Sequence, residues 1–330
     1  MQKSSRAHIY YLIAALVIFS FIGGLYAGNP LILTQVQGNG YLPITRHFTL
    51  IIQGTDLRMG PNAVWHAWTY NGTVPGPTLH AKIGDTIVVK VINKLNLTHS
   101  FHTHLVDYNF SYDGSQANII GNVGNGSMIP PGGEYTYIFK VNQAGIYYYH
   151  CHSSDHHPIS YHIHQGLYGA IIVDKPDVQK FDHDWVIFMG EVGPQVSGTG
   201  APPFIMNGKG IPGGEASLMQ AYETGGMNSV VSMLNVSLPA FSMKAGETAR
   251  ISVINIGDQI HSFHLHDINI VSEWMIPGRA WPAEVVPLVP GAADSLIIRP
   301  TQPGIWLFHC HVVFHADAGM IGVLIVNNSS

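Results

Sequence analysis

The 330-residue sequence predicts an all-β fold: two Greek-key β-sandwich domains preceded by an N-terminal transmembrane helix. Three observations carry that expectation. The chain repeats itself, each repeat is made of short β-branched and aromatic runs between Gly, Pro and Asn clusters, and one uncharged apolar stretch stands near the N-terminus.

The repeat is read without gaps. Gly84-Asp-Thr-Ile-Val-Val-Lys-Val-Ile-Asn93 aligns with Gly246-Glu-Thr-Ala-Arg-Ile-Ser-Val-Ile-Asn255, and the same offset of 162 residues relates His99 to His261 and His104 to His266. Ala144-Gly-Ile-Tyr-Tyr-Tyr-His-Cys-His152 then aligns with Pro303-Gly-Ile-Trp-Leu-Phe-His-Cys-His311 at an offset of 159. A duplicated domain of roughly 130–150 residues is a normal size for one hydrophobic core.

Strands are expected over Thr86–Ile92, Tyr135–Val141, Gly169–Val173, Arg250–Ile254 and Ser295–Arg299. No long stretch beyond the N-terminal run keeps helical periodicity, although Glu215–Tyr222 can form a short helix. The Gly- and Pro-rich stretch Gly193–Gly214 reads as a long surface excursion of the second domain. The expected division is an anchor or signal segment over residues 1–30, a first domain over 31–175 and a second over 176–330, with the boundary near Asp174-Lys-Pro-Asp177.

Ile9 to Gly28 is long and apolar enough to span a bilayer. Lys3 and Arg6 precede it and no basic residue follows until Arg46, which places the N-terminus inside and the rest of the chain on the extracytoplasmic face. A cleaved signal peptide is the alternative reading. Leu25-Tyr26-Ala27 is a poor small-x-small cleavage site, which favours an uncleaved membrane anchor. Charged residues make up 11% of the chain and the net charge is −5, with no block of either sign, so nothing points to nucleic acid as a partner.

The chain holds 20 His and only 2 Cys. Both cysteines lie in His-Cys-His units, His150-Cys151-His152 and His309-Cys310-His311. A disulfide is the plain reading for two cysteines in an exported chain, but it leaves the identical His flanks unexplained. Strand parity explains them. Residues an even number apart share a face, so His102 and His104 lie opposite His99, and His150 and His152 lie opposite Cys151. The second copy repeats this: His264 and His266 oppose His261, and His309 and His311 oppose Cys310. Each domain therefore sends one His and one Cys inward and four His outward.

The inward set needs a second His and an axial ligand to make a blue-copper site. In the second copy His315-Ala-Asp-Ala-Gly-Met320 supplies both. In the first copy His156 has the same spacing from its cysteine, but Tyr161 then takes the axial place. His162-Ile-His-Gln-Gly-Leu167 matches His315–Met320 at a constant offset of 153, so His162 is the chosen ligand and His156 the fallback. The outward sets, four His per domain, are too many for such a site and suit half of a copper cluster each. A zinc site would close with about four ligands and would not explain the paired His-Cys-His units.

These motifs resemble the two-domain multicopper oxidases (two-domain or small laccases) over residues 45 to 326. His261-Ser-Phe-His264-Leu-His266 and His309-Cys-His-Val-Val-Phe-His315-Ala-Asp-Ala-Gly-Met320 look like the family's C-terminal copper motifs. His102-Thr-His104, Asp113-Gly114 and Gly166-Leu-Tyr-Gly169 look like its N-terminal ones. The resemblance implies cupredoxin-like domains and copper as cofactor. Type 1 copper would use His261, Cys310, His315 and axial Met320, with a second type 1 site at His99, Cys151 and His162, where Leu167 cannot ligate. Type 2 copper would take His102 and His264, and the type 3 pair His104, His150, His152, His266, His309 and His311.

The implied activity is one-electron oxidation of a reductant, with phenols, metal ions or a redox protein as donors, coupled to four-electron reduction of dioxygen to water at a trinuclear cluster. Asp107, Tyr108 and Asp113 follow the first histidine motif, and Asp113, which matches a family acidic position, is the candidate proton donor. The family plan implies a homotrimer with clusters between subunits. Copper nitrite reductase shares that plan but has a catalytic Asp where this chain has His102 and a small residue where it has His152.

Overall fold

The computed structural model describes residues 40–60, 62–107, 109–115, 127–272 and 281–329. The expected transmembrane segment Ile9–Gly28 lies outside the described residues. Among the described residues no helix is long and apolar enough to cross a membrane.

Alternation builds the first half. Along β4 (Thr86–Asn93) the buried residues are Ile87, Val89, Val91 and Asn93, with partly exposed residues between them. This strand lies parallel to β1 (Thr45–Arg58), which pairs in turn with β2 (Ala63–Tyr70), and its other edge takes β6 (Glu134–Lys140). The facing sheet contains β3 (Leu79–Lys82), β5 (His102–Thr103), β7 (Gly145–His150) and β8 (Tyr168–Asp174) in the order β3-β8-β7-β5. Between them lies a core that includes Ile52, Phe101, Tyr137, Phe139, Tyr149 and Cys151.

The second half repeats the plan. β9 (His183–Glu191) lies parallel to β13 (Ala249–Asn255) as β1 lies parallel to β4. Its sheet runs β11-β9-β13-β18-β15-β16, with β11 (Phe204–Met206), β15 (Ile270–Ser272), β16 (Trp281–Ala283) and β18 (Ala293–Ile298). The facing sheet runs β12-β20-β19-β14-β17, with β12 (Ala240–Lys244), β14 (His261–Leu265), β17 (Val285–Leu288), β19 (Gly304–Cys310) and β20 (Ile321–Asn327).

Each strand expected from the sequence is present within two residues of its expected ends. Every residue of β13 is buried, because one face looks into the second core and the other into a third cluster shared by the halves. That cluster joins Trp65, Tyr148 and Ile172 to Phe188, Ile205 and Ile254. At its edge Arg250 binds Asp184 on β9 and Asp174 at the end of β8, tying the two halves across the expected boundary.

Two regions differ from expectation. The stretch 193–214 is not a solvated excursion. Its strand β10 (Val196–Gly198) pairs with β2 of the first half, while β11 pairs with β9, and Phe204, Ile205, Met206 and Ile211 are buried. The helix expected at Glu215–Tyr222 runs from Gly214 to Ser237, broken by a non-helical Gly226. It escaped the periodicity test because it carries no continuous apolar face: only a few residues, among them Leu218, Val230 and Met233, pack on Ile211, Leu238, Ile321 and Val323. Two short helices complete the fold. Taking the helices in chain order, α1 is Ile159–His164, α2 is the long helix Gly214–Ser237 and α3 is Val313–Asp317.

Candidate metal centres

Register places the histidines. His102 pairs with His150 across β5 and β7, His264 pairs with His309 across β14 and β19, and Phe263 pairs with Cys310 on the opposite face. Both cysteines are free and fully buried. Each lies in its own core rather than beside the other, so the two form no disulfide.

In the second half the Cys310 sulfur lies 3.7 Å from His261 Nδ1 and 3.6 Å from His315 Nδ1, and the two nitrogens are 3.1 Å apart. Met320 is buried, and its backbone N–H donates to the His315 carbonyl while its own carbonyl accepts from Cys310. In the first half the Cys151 sulfur lies 3.6 Å from His99 Nδ1 and 3.4 Å from His162 Nδ1. Leu167 takes Met320's place in the same backbone pattern, donating to His162 and accepting from Cys151. The turn before each of these residues needs glycine: Gly166 has φ 110° and Gly319 φ 124°.

His156, the fallback, is 71% exposed beside Asp155 and takes no part in the first group. The inserted segment instead carries α1, which aims His162 inward. It also supplies His157 and Tyr161, stacked 3.9 Å apart, and both lie against Trp68. Trp68 covers both inward imidazoles, at 5.1 Å from His99 and 5.2 Å from His162. In the second half His315 stacks on Phe204 at 3.9 Å and its Nε2 meets the Gln259 side-chain oxygen at 3.1 Å. Gln259 and Trp68 carry no motif spacing and were not identified from the sequence.

The outward histidines form two further groups. His104 Nε2 and His150 Nε2 are 3.2 Å apart, with His102 joining them, and His152 lies 4.7 Å from His102. His266 Nε2 and His309 Nε2 are 3.0 Å apart, with His264 joining them, and His311 lies 5.2 Å from His264. Among the described residues no such group mixes histidines of the two halves.

Carbonyls set the tautomers. His102 Nδ1 lies 2.6 Å from the Asp113 carbonyl and His264 Nδ1 lies 2.6 Å from the Glu284 carbonyl. His150 and His309 turn Nδ1 to the carbonyls of Cys151 and Cys310. Donation from Nδ1 leaves Nε2 bare. The bare Nε2 of His150 and of His309 each face a second imidazole nitrogen, on His104 and His266, which can donate a proton to it or share a cation with it, and imidazole suits copper.

Burial keeps these ligands neutral. It lowers His99 and His150 to about 3, and His104, His162 and His261 to about 4, helped by neighbouring imidazoles. The Cys151 thiol is pushed up to about 11 by burial, so it becomes a thiolate only with a metal beside it. A buried thiol and two imidazoles with Nδ1 facing it fit a copper-thiolate site.

Of the candidate acid residues, Asp113 places its carboxylate 3.7 Å from His102 Nδ1 and is 20% exposed, although its carbonyl makes the shorter contact. Asp107 is exposed at a left-handed turn, φ 61°. Tyr108 lies outside the described residues.

Two family models, both described as multicopper oxidase, match residues 53–178 and 215–330, more than half of the chain. Multicopper oxidase MmcO of Mycobacterium tuberculosis is 31% identical over 259 residues, 72% of this chain and 48% of that protein, so the chain spans about half of MmcO's length. A copper-containing nitrite reductase of Neisseria meningitidis is 26% identical over 280 residues, 83% of this chain and 67% of its own length. A crystal structure of a multicopper oxidase is similar with TM-score 0.67 at 27% identity, covering 86% of this chain and 89% of that one. Copper nitrite reductase from Nitrosomonas europaea shares the fold, with TM-score 0.64 at 23% identity over 86% and 94% of the two chains. Each matched segment encloses one copy of the repeat with its His-Cys-His unit, and the chain belongs to the multicopper oxidase family.

Proposed function

We propose that the protein is an oxygen-reducing, laccase-like multicopper oxidase, anchored by its N-terminal segment on the extracytoplasmic face of a membrane and working as a homotrimer. One observation carries the reading: His152 and His311 complete a fourth imidazole on each outward face, which a nitrite-reducing site has no need of. Bound copper supplies one-electron transfer at the two thiolate sites and, as a cluster of three, the four-electron reduction of dioxygen to water.

The chain's own residues divide that work. His261, Cys310, His315 and Met320 would hold one type 1 copper, and His99, Cys151 and His162 the other, beside the buried Leu167. His102 and His264 would hold type 2 copper. His104, His150, His152, His266, His309 and His311 would hold the type 3 pair. Each cysteine is bonded through the backbone to two outward histidines, so one residue of chain would link a copper-bound thiolate to the cluster ligands. Asp113, partly exposed and 3.7 Å from His102 Nδ1, would deliver protons to the cluster. The separation of the two outward groups within one chain supports assembly of each cluster from two subunits. The donor is a phenol, a metal ion or a redox protein.

The test is copper content with oxygen uptake. The expected result is about five coppers per chain and oxygen consumption with ferrocyanide or a phenol. A second reading, copper nitrite reductase, is favoured by the 83% coverage of the Neisseria enzyme match. About two coppers per chain with nitrite, not oxygen, as acceptor would establish it instead.

A further inference from the structure

Among the described residues, three buried polar atoms without hydrogen-bond partners converge at one place: His164 Nε2, Glu191 Oε1 and His261 Nε2. Oε1 of Glu191 lies 3.7 Å from His261 Nε2. Its other oxygen lies 3.5 Å from His164 Nε2, which the exposed Asp258 carboxylate also approaches at 3.4 Å, and accepts the Asp258 backbone N–H at 3.1 Å. Gly257 makes room for this carboxylate, since a Cβ there would collide with it.

The place lies between the two inward metal groups. His261 turns Nδ1 toward Cys310, so its ring proton is on Nε2 and points at Glu191. His164 lies two residues beyond His162 on α1, and His162 Nδ1 faces Cys151. One carboxylate at the end of β9 therefore touches a ligand of the second site and the helix that carries a ligand of the first.

The fold does not require an acid here. Asn255 pairs with Met189 as Asn93 pairs with Ile52, so two residues further along Glu191 occupies the position that Gly54 holds in the first half. There the inward His99 meets Trp68 at 5.1 Å in place of a carboxylate. The duplicated domains differ at the outer edge of the same ligand.

We propose that Glu191 is a positioning residue that makes the two type 1 sites unequal and links them, holding the second at the lower potential so that electrons taken up there pass to the first. The inference rests on the copper reading above. A carboxylate against the Nε2 proton raises the basicity of the ligating imidazole and favours oxidised copper, as does an axial Met. Trp68 and Leu167 give the first site neither; the acid nearest that site, Asp155, accepts the Thr98 N–H with its carboxylate and meets His162 Nε2 through its backbone carbonyl at 3.3 Å. With copper held at both sites, one electron would pass from the reduced second site to the oxidised first site, and no bond would form or break. The route is His261, Glu191, His164 and the α1 backbone to His162.

The test uses the full copper-loaded chain in two backgrounds, Cys151→Ser, which leaves the second blue site, and Cys310→Ser, which leaves the first. Midpoints are read from the blue absorbance during redox titration. The second site is expected to titrate below the first. Glu191→Gln, and Gly257→Ala, which displaces the carboxylate without removing it, should each raise the second-site midpoint and leave the first where it was; Glu191→Asp should restore part of the difference. With both sites intact, flash reduction should show electron exchange between the blue bands that slows in Glu191→Gln. Level midpoints, or a Glu191→Gln midpoint equal to that of its parent, overturn the proposal. Absence of blue absorbance and of copper in both backgrounds overturns the copper reading itself, and this proposal with it.

Discussion

Nδ1 of His162 and Nδ1 of His99 face each other 3.2 Å apart beside the buried Cys151 sulfur. They come from segments 63 residues apart, and the histidine nearer in spacing to the second-half pattern, His156, stays in solvent. The inserted segment moves the ligand onto α1 without disturbing the site it serves.

This arrangement separates two substitutions. His162→Ala should lose the first-site copper, lowering the content by about one per chain, with loss of part of the blue absorbance. His156→Ala should leave both readings at the wild-type level. Copper analysis of the two purified variants decides it, and equal loss in both would mean that His156 reaches the metal.

Leu167 and Met320 occupy matched, buried positions, so Leu167→Met adds a thioether without a large change in volume. The first site should shift its blue absorbance and fall in midpoint, seen most directly in the Cys310→Ser background. An unchanged spectrum and midpoint would place the residue 167 side chain away from the copper.

The copper-free protein should weaken as pH falls. Free histidine titrates near 6.5, whereas His99, His104, His150, His162 and His261 are held near 3 to 4 by burial. Between those values the unfolded chain binds protons that the native chain refuses, so stability is full above about pH 6.5 and is lost progressively toward pH 3–4. Thermal unfolding of the copper-free chain across this range should show Tm falling on the acid side. A level Tm down to pH 4 would contradict the burial argument.

Asp85 is a structural acid, distant in role from the candidate proton donors. It is fully buried, pairs with Arg46 at 2.6 Å and accepts the backbone N–H groups of Ile44 and Lys82 at 2.9 Å each. Asp85→Ala leaves those donors unmet and should cost about 3 kcal/mol, read as a lower denaturant midpoint. A loss under about 1 kcal/mol would show that water replaces the carboxylate.

The repeated motifs made the β plan legible because alternation is a local property: Ile87, Val89 and Val91 announce a buried face without knowledge of what covers it. The same parity separated Cys151 from His150 and His152. The stretch 193–214 was misread because Gly and Pro mark a loop by backbone chemistry, while its pairing with Trp65 and with β9 is a non-local event. Helix α2 is longer than its sequence suggests for a related reason: its few apolar side chains pack partly on the flanking Ile211 and Leu238 and partly on the remote strand β20, through Ile321 and Val323.

The sequence by itself determined the duplicated all-β plan, the division of histidines and cysteines between two faces, and the choice of His162 over His156. Each follows from covalent spacing on a strand or from a constant offset between copies. Only the tertiary structure decided what stands behind each ligand: the Asp113 and Glu284 carbonyls that turn His102 and His264, Trp68 over the first inward site, and Glu191 beside His261. Those contacts join residues with no fixed spacing, and they exist only once each sandwich has folded and brought its strands and loops together.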